Sequence, residues 1–112
     1  MTREVETFHQ LIQDAIVEAQ KAAARYPQPN YIITKIAEEA GEVVKEAVHC
    51  AEGRGSVDDL RKEMRQLIAM LFRLWVEGDG YLHLKPVWHF KGCAYTERPA
   101  ASEETPGEEG VI

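Results

Sequence analysis

The stretch Lys35–Ala47, KIAEEAGEVVKEA, sets Glu38, Glu39, Glu42 and Glu46 among apolar residues that recur at helical spacing, with a glycine, Gly41, in the middle. Each helical residue advances by about 100°. With Ile36 as the reference direction, Ala40, Val43 and Ala47 stay within about 40° of it, and Val44 and Val48 widen the stripe to about 120°. A helix with one apolar face is therefore expected, beginning between Asn30 and Thr34 and running to about Ala51. Glu39 falls just beyond the other edge of the stripe and Glu42 further round on the same side, three residues away and adjacent on the helix surface. Like charges at that spacing repel unless something positive stands between them.

Outward from this helix, the chain reads as two more. Phe8, Leu11, Ile12, Ala15, Ile16 and Ala19 keep helical spacing, which predicts a first helix from about Val5 to Arg25. Pro27 and Pro29 stop it, because proline has no place in a helix interior and restricts the residue before it. Gly53 and Gly55 then break the second helix. Ser56 is the expected N-cap of the third, and Asp58 and Asp59 sit in its first turn, where the helix dipole favours anions. Leu60, Met64, Leu67, Ile68, Leu71, Leu74 and Trp75 share one face of this helix, which should end near Gly78 or Gly80. The fold class is all-α: a small bundle of three main helices. An aromatic-rich segment, YLHLKPVWHFKGCAY, is expected to follow as extended chain or one short strand. Residues 1–96 form the helical domain in this reading, and 97–112, acidic and without periodicity, a disordered tail.

With 112 residues the chain holds one modest core, so oligomerisation is expected to complete it. No apolar run approaches the ~18 residues of a membrane span, and the N-terminus is charged rather than signal-like, so a cytoplasmic protein is expected. The net charge of −6 argues against a nucleic-acid partner. Cys50 and Cys93 make no disulfide framework, and with His49, His83 and His89 they match no standard zinc spacing.

The third helix repeats the acidic arrangement. Taking Leu60 as zero, Glu63 lies near ~300°, between the directions of Met70 and Leu74 and so within the apolar arc, and Gln66 lies at its edge. A carboxylate there is costly to desolvate unless paired or bound to a cation. The plain reading of Glu38, Glu39, Glu42 and Glu46 is a solvated face aided by Lys35 and Lys45. Two oxygen-donor pairs at i,i+3 on adjacent helices make a stronger joint signal, one that suits a hard cation such as Mg²⁺ or Mn²⁺.

KIAEEAGEVVKEA followed by LRKEMRQLIAMLFRL resembles the MazG-like, all-α nucleoside triphosphate pyrophosphohydrolases, whose signature is E-x-x-E, a spacer, then E-x-x-D. Glu39 and Glu42 fit the first half, and Glu63 opens the second after a spacer of twenty residues. The likeness runs from Tyr31 to Val76 and departs at Gln66, where the signature has Asp. The resemblance implies Mg²⁺-dependent (or Mn²⁺-dependent) cleavage of a nucleoside triphosphate into a monophosphate and pyrophosphate. It implies Glu39, Glu42 and Glu63 as metal ligands, Gln66 as a weak fourth, Glu38 and Glu39 as catalytic groups, and Lys35 as a phosphate contact. Homodimers or homotetramers are implied too. Two alternatives stand beside it: a phosphoribosyl-ATP pyrophosphohydrolase, and a non-catalytic nucleotide- or protein-binding module that has lost a metal ligand at Gln66. For the base, Trp75, Trp88, Phe90 and Tyr95 are the aromatic candidates.

Overall fold

The computed structural model describes residues 1–92; the expected tail at 97–112, with Cys93 and Tyr95, lies outside the described residues. Helix α1 spans Arg3–Arg25, α2 Ile32–Ala51 and α3 Val57–Glu77. The all-α class and the three helices follow the sequence reading, with ends within a few residues of those expected. Thr2 caps α1 by accepting from the Val5 amide, and Ser56 caps α3 by accepting from the Asp59 amide at 3.2 Å. α3 ends at Gly78, whose φ of 74° is left-handed. A Cβ at Gly78 would collide with the Leu84 carbonyl, so the turn after α3 accepts only glycine.

α3 lies in the middle and packs on both α1 and α2, while α1 and α2 do not pack on each other. Ala15 and Ala19 of α1 meet Ala69 of α3, and these small residues let the two helices approach closely, with Ile68 and Phe72 alongside. No described helix is long and apolar enough to cross a membrane. The segment after Gly78 differs from the expected strand. It holds one isolated bridge, Asp79 to Leu84, and a 3₁₀ turn, Val87–His89, packed on α3. Pro86 removes an amide donor, which prevents a ladder from extending.

The apolar stripe of α2 is the larger departure. Ile32 is buried and Ile36, Glu39, Ala40, Val43 and Glu46 are half-buried, whereas Val44 and Val48 are 62% and 45% exposed. The helix is turned by roughly 30–60° from the expected orientation, so that its Glu39 side, not its Val44 side, faces α3. The physical reason is the missing α1–α2 contact, which leaves Val44 and Val48 without a covering element among the described residues.

Gly41 also reads differently in three dimensions. A glycine inside a helix suggests close approach by a neighbouring helix or a substrate, yet a Cβ at Gly41 would meet nothing within 4 Å. Gly41→Ala should therefore raise stability by about 1 kcal/mol through helix propensity alone, read as a higher urea midpoint with an unchanged m-value. A lowered midpoint would mean that another copy of the chain packs at this position.

Candidate active site

Because α2 turns its Glu39 side inward, the acids of both helices meet. Gln66, with its amide nitrogen placed by its partners, donates to Glu39 Oε1 at 3.3 Å and to Glu63 Oε1 at 3.2 Å. Glu39 is held above the usual carboxylate range, first by burial and then by the Glu63 charge, with a further push from Glu42; Lys35 opposes these only in part. Among the described residues no basic side chain forms an ion pair with Glu39, Glu42 or Glu63. Arg73 of the same helix is committed to Glu77.

The other expected residues are placed less centrally. Glu42 is exposed and acts on Glu39 only through its charge. Glu38 is exposed and lies 3.7 Å from the Lys35 ammonium. Glu46 is half-buried on the α3 side. Among the described residues no three acid, His or Cys side chains are arranged to hold one ion, which applies to the histidines as much as to the glutamates.

Glu39 and Gln66 form one end of a cleft of about 790 Å³ between the C-terminal half of α1, the start of α2 and the middle of α3. Lys35 lies on the same wall as Glu39, one turn toward the N-terminus. The opposite end is lined by Tyr26, Pro29 and Tyr31. Of the aromatic candidates from the sequence, Trp75, Trp88 and Phe90 do not line the cleft. Two tyrosines that were passed over do. The available signal was their position: each flanks the PQP break between α1 and α2, and prolines that stop two helices leave the residues beside them at the helix ends. Tyr31 is backed by Tyr81, ring centroids 5.0 Å apart and tilted by 53°.

Below this aromatic end lies a polar network that periodicity did not reveal. Arg73 is only 2% exposed; its Nε donates to Glu77 Oε2, and one terminal nitrogen donates to Glu77 Oε1 and the Tyr26 carbonyl. Glu77 also accepts from the Gln28 amide at 2.9 Å. Burial alone would raise the Glu77 proton affinity, but the Arg73 and Gln28 hydrogen bonds outweigh it and hold the carboxyl below its usual range. Gln28 Oε1 accepts from the Asn30 and Gly80 amides. Asp79, fully buried, accepts from the Ile33, Tyr81 and Leu82 amides. α2 has no side-chain cap of its own, and Asp79 supplies one from across the fold.

The donor chemistry fits a hard cation at the Glu39–Glu63 pair. Two carboxylates and an amide face one another, burial and like charge raise the proton affinity of one of them, and among the described residues no ammonium or guanidinium forms an ion pair with them. Compared with models of protein families, with curated proteins and with solved structures, the chain matches none.

Proposed function

We propose that the protein is a metal-dependent nucleotide pyrophosphohydrolase that cleaves nucleoside or deoxynucleoside triphosphates to the monophosphate and pyrophosphate. The observation that carries the reading is Glu39, pressed by the Glu63 charge and without an ion-pair partner among the described residues, at one end of a cleft whose other end is aromatic. Such a cleft suits a ligand with a polyanionic end and a flat end. The sequence likeness to the MazG-like signature at Glu39, Glu42 and Glu63 supports the same reading.

Glu39 and Glu63 would hold Mg²⁺ or Mn²⁺, with Glu42 adding charge from the helix surface and Gln66 turning its amide oxygen inward as a neutral ligand. When bound, the cation neutralises phosphate charge and makes a bound water more acidic. Lys35, on the cleft wall, contacts a phosphate oxygen through its ammonium. Glu38 accepts a proton from the attacking water only if it leaves Lys35 and turns into the cleft; Glu39 is already there. A second copy of the chain is the proposed cover for Val44 and Val48, giving a homodimer or homotetramer.

One observation favours a second reading. The Gln66 amide bridges both carboxylates from the place a cation would take, as expected of a binding module that has exchanged a metal ligand for a neutral hydrogen-bond donor. A single experiment separates the two. Pyrophosphate release is measured with Mg²⁺ or Mn²⁺ over a panel of NTPs, dNTPs and phosphoribosyl-ATP, with oligomeric state followed by light scattering. Turnover that disappears on adding a chelator is expected, together with a melting temperature raised by the cation. A folded protein that turns over none of the panel sinks the enzyme, and activity gained by Gln66→Asp identifies a weakened site rather than a module. Turnover of phosphoribosyl-ATP alone would move the assignment to that substrate.

A further inference from the structure

We infer that Arg73 reads the base, selecting nucleotides whose base carries a carbonyl oxygen where cytosine and adenine carry an amino group. The inference rests on the nucleotide reading of the cleft. Arg73 lines the cleft, is 2% exposed, and spends its Nε and one terminal nitrogen on Glu77 and the Tyr26 carbonyl. Its other terminal nitrogen, Nη1, has no hydrogen-bond partner among the described residues. A guanidinium is always protonated and only donates, so a buried free N–H on it calls for an acceptor.

The layout of the cleft places that acceptor. Gln66, Met70 and Arg73 follow one another along the α3 wall, and Gln66 to Arg73 is seven residues, roughly 10 Å along the axis. Glu39, Lys35 and Tyr31 follow in the matching order on the α2 wall. A triphosphate held at Glu39 and Lys35 would therefore lay its sugar past Met70 and bring its base to Tyr31, Tyr26 and Arg73. That span is comparable to the reach from the α-phosphate to the far edge of a base. Glu77 and the Tyr26 carbonyl fix the guanidinium before any ligand arrives, so its free donor faces one direction. Uracil O4, thymine O4 and guanine O6 accept a hydrogen bond from it; the amino groups of cytosine and adenine present a donor to a donor.

The test compares kcat/KM for dUTP against dCTP and dGTP against dATP in the wild type and in Arg73→Lys, with helix content checked by circular dichroism. Wild type should favour the keto member of each pair by roughly ten- to a hundredfold. Arg73→Lys keeps a charge for Glu77 but lacks the second donor, and should lower the keto-base substrates more than the amino-base ones, so that both ratios collapse toward one. A purely structural arginine would lower all four substrates together. Wild-type ratios near one, or ratios that survive in Arg73→Lys, overturn the inference. Calorimetric binding of dUMP and dCMP to the wild-type chain decides it independently of catalysis and of how well the variant folds. Tighter dUMP binding without any turnover upholds Arg73 and rejects the enzyme; turnover with equal affinity for the two monophosphates does the reverse.

Discussion

Glu63→Gln should lower pyrophosphate release by at least about 10²-fold, the cost of losing one charge-stabilising group from such a site, while the three helices persist. Glu39→Gln should do the same. The stability of these variants is the sharper part of the expectation. Glu39 is held above the usual carboxylate range by burial and by Glu63, so its ionised form is disfavoured in the folded chain. A carboxyl with a raised folded-state pKa contributes stability that is fully present below the unfolded pKa and is lost as pH rises through the folded value. Above the folded value that contribution is gone and the repulsion remains. Removing the Glu63 charge relieves it, so Glu63→Gln should melt slightly above wild type at pH 7 without metal, and the difference should vanish near pH 4. Adding Mg²⁺ should reverse the order, because wild type gains binding energy that the variant lacks. Melting curves at the two pH values, with and without Mg²⁺, check this. A Glu63→Gln chain that melts well below wild type at pH 7 without metal would show the carboxylate to be a structural element.

The helices were legible because each carries its own punctuation. Ser56 with Asp58 and Asp59 announced α3, and Gly78 ended it; the prolines at 27 and 29 ended α1. The orientation of α2 was not legible in the same way. A single helical wheel weighs Val44 and Val48 as core, but which face is covered depends on which helices touch, and α1 never reaches α2. That same rotation brought Glu39 onto the α3 side, so that Glu39 and Glu63, singled out by residue type, come within reach of one amide, that of Gln66. The links of Arg73 and Asp79 across the fold escaped because they run to backbone atoms 47 and 46 residues away, the Tyr26 carbonyl and the Ile33 amide. Backbone partners leave no trace in side-chain spacing. The available hint for Arg73 was Glu77, four residues on and on the same helix face.

Asp79→Ala should be the most damaging single change to the fold. Its carboxylate is fully buried and takes three backbone amides, those of Ile33 at 2.8 Å, Tyr81 at 2.9 Å and Leu82 at 3.0 Å. Among the described residues the first of these is the only side-chain cap α2 receives, since Tyr31 at its N-cap position offers none. Alanine leaves three part-buried donors without their acceptor, and a lost cap alone costs about 0.5–2 kcal/mol. A total near 3 kcal/mol is a large share of the ~5–15 kcal/mol that holds a domain together, and corresponds to a drop in melting temperature of roughly 10–25 °C. Asp79→Asn keeps one acceptor oxygen and the shape, but gives up the charge that the α2 N-terminus favours, so it should fall between the two. The functional consequence follows from what Asp79 anchors. Tyr31 and Lys35 sit on the first turns of α2, next to the amide that Asp79 holds, while Glu39 lies further along, where α2 packs on α3. In Asp79→Asn, KM should therefore rise before kcat falls, as the base and phosphate contacts loosen ahead of the acidic pair. Asp79→Ala melting within 2 °C of wild type would refute the cap, and a fall in kcat at unchanged KM would refute the proposed order along the cleft.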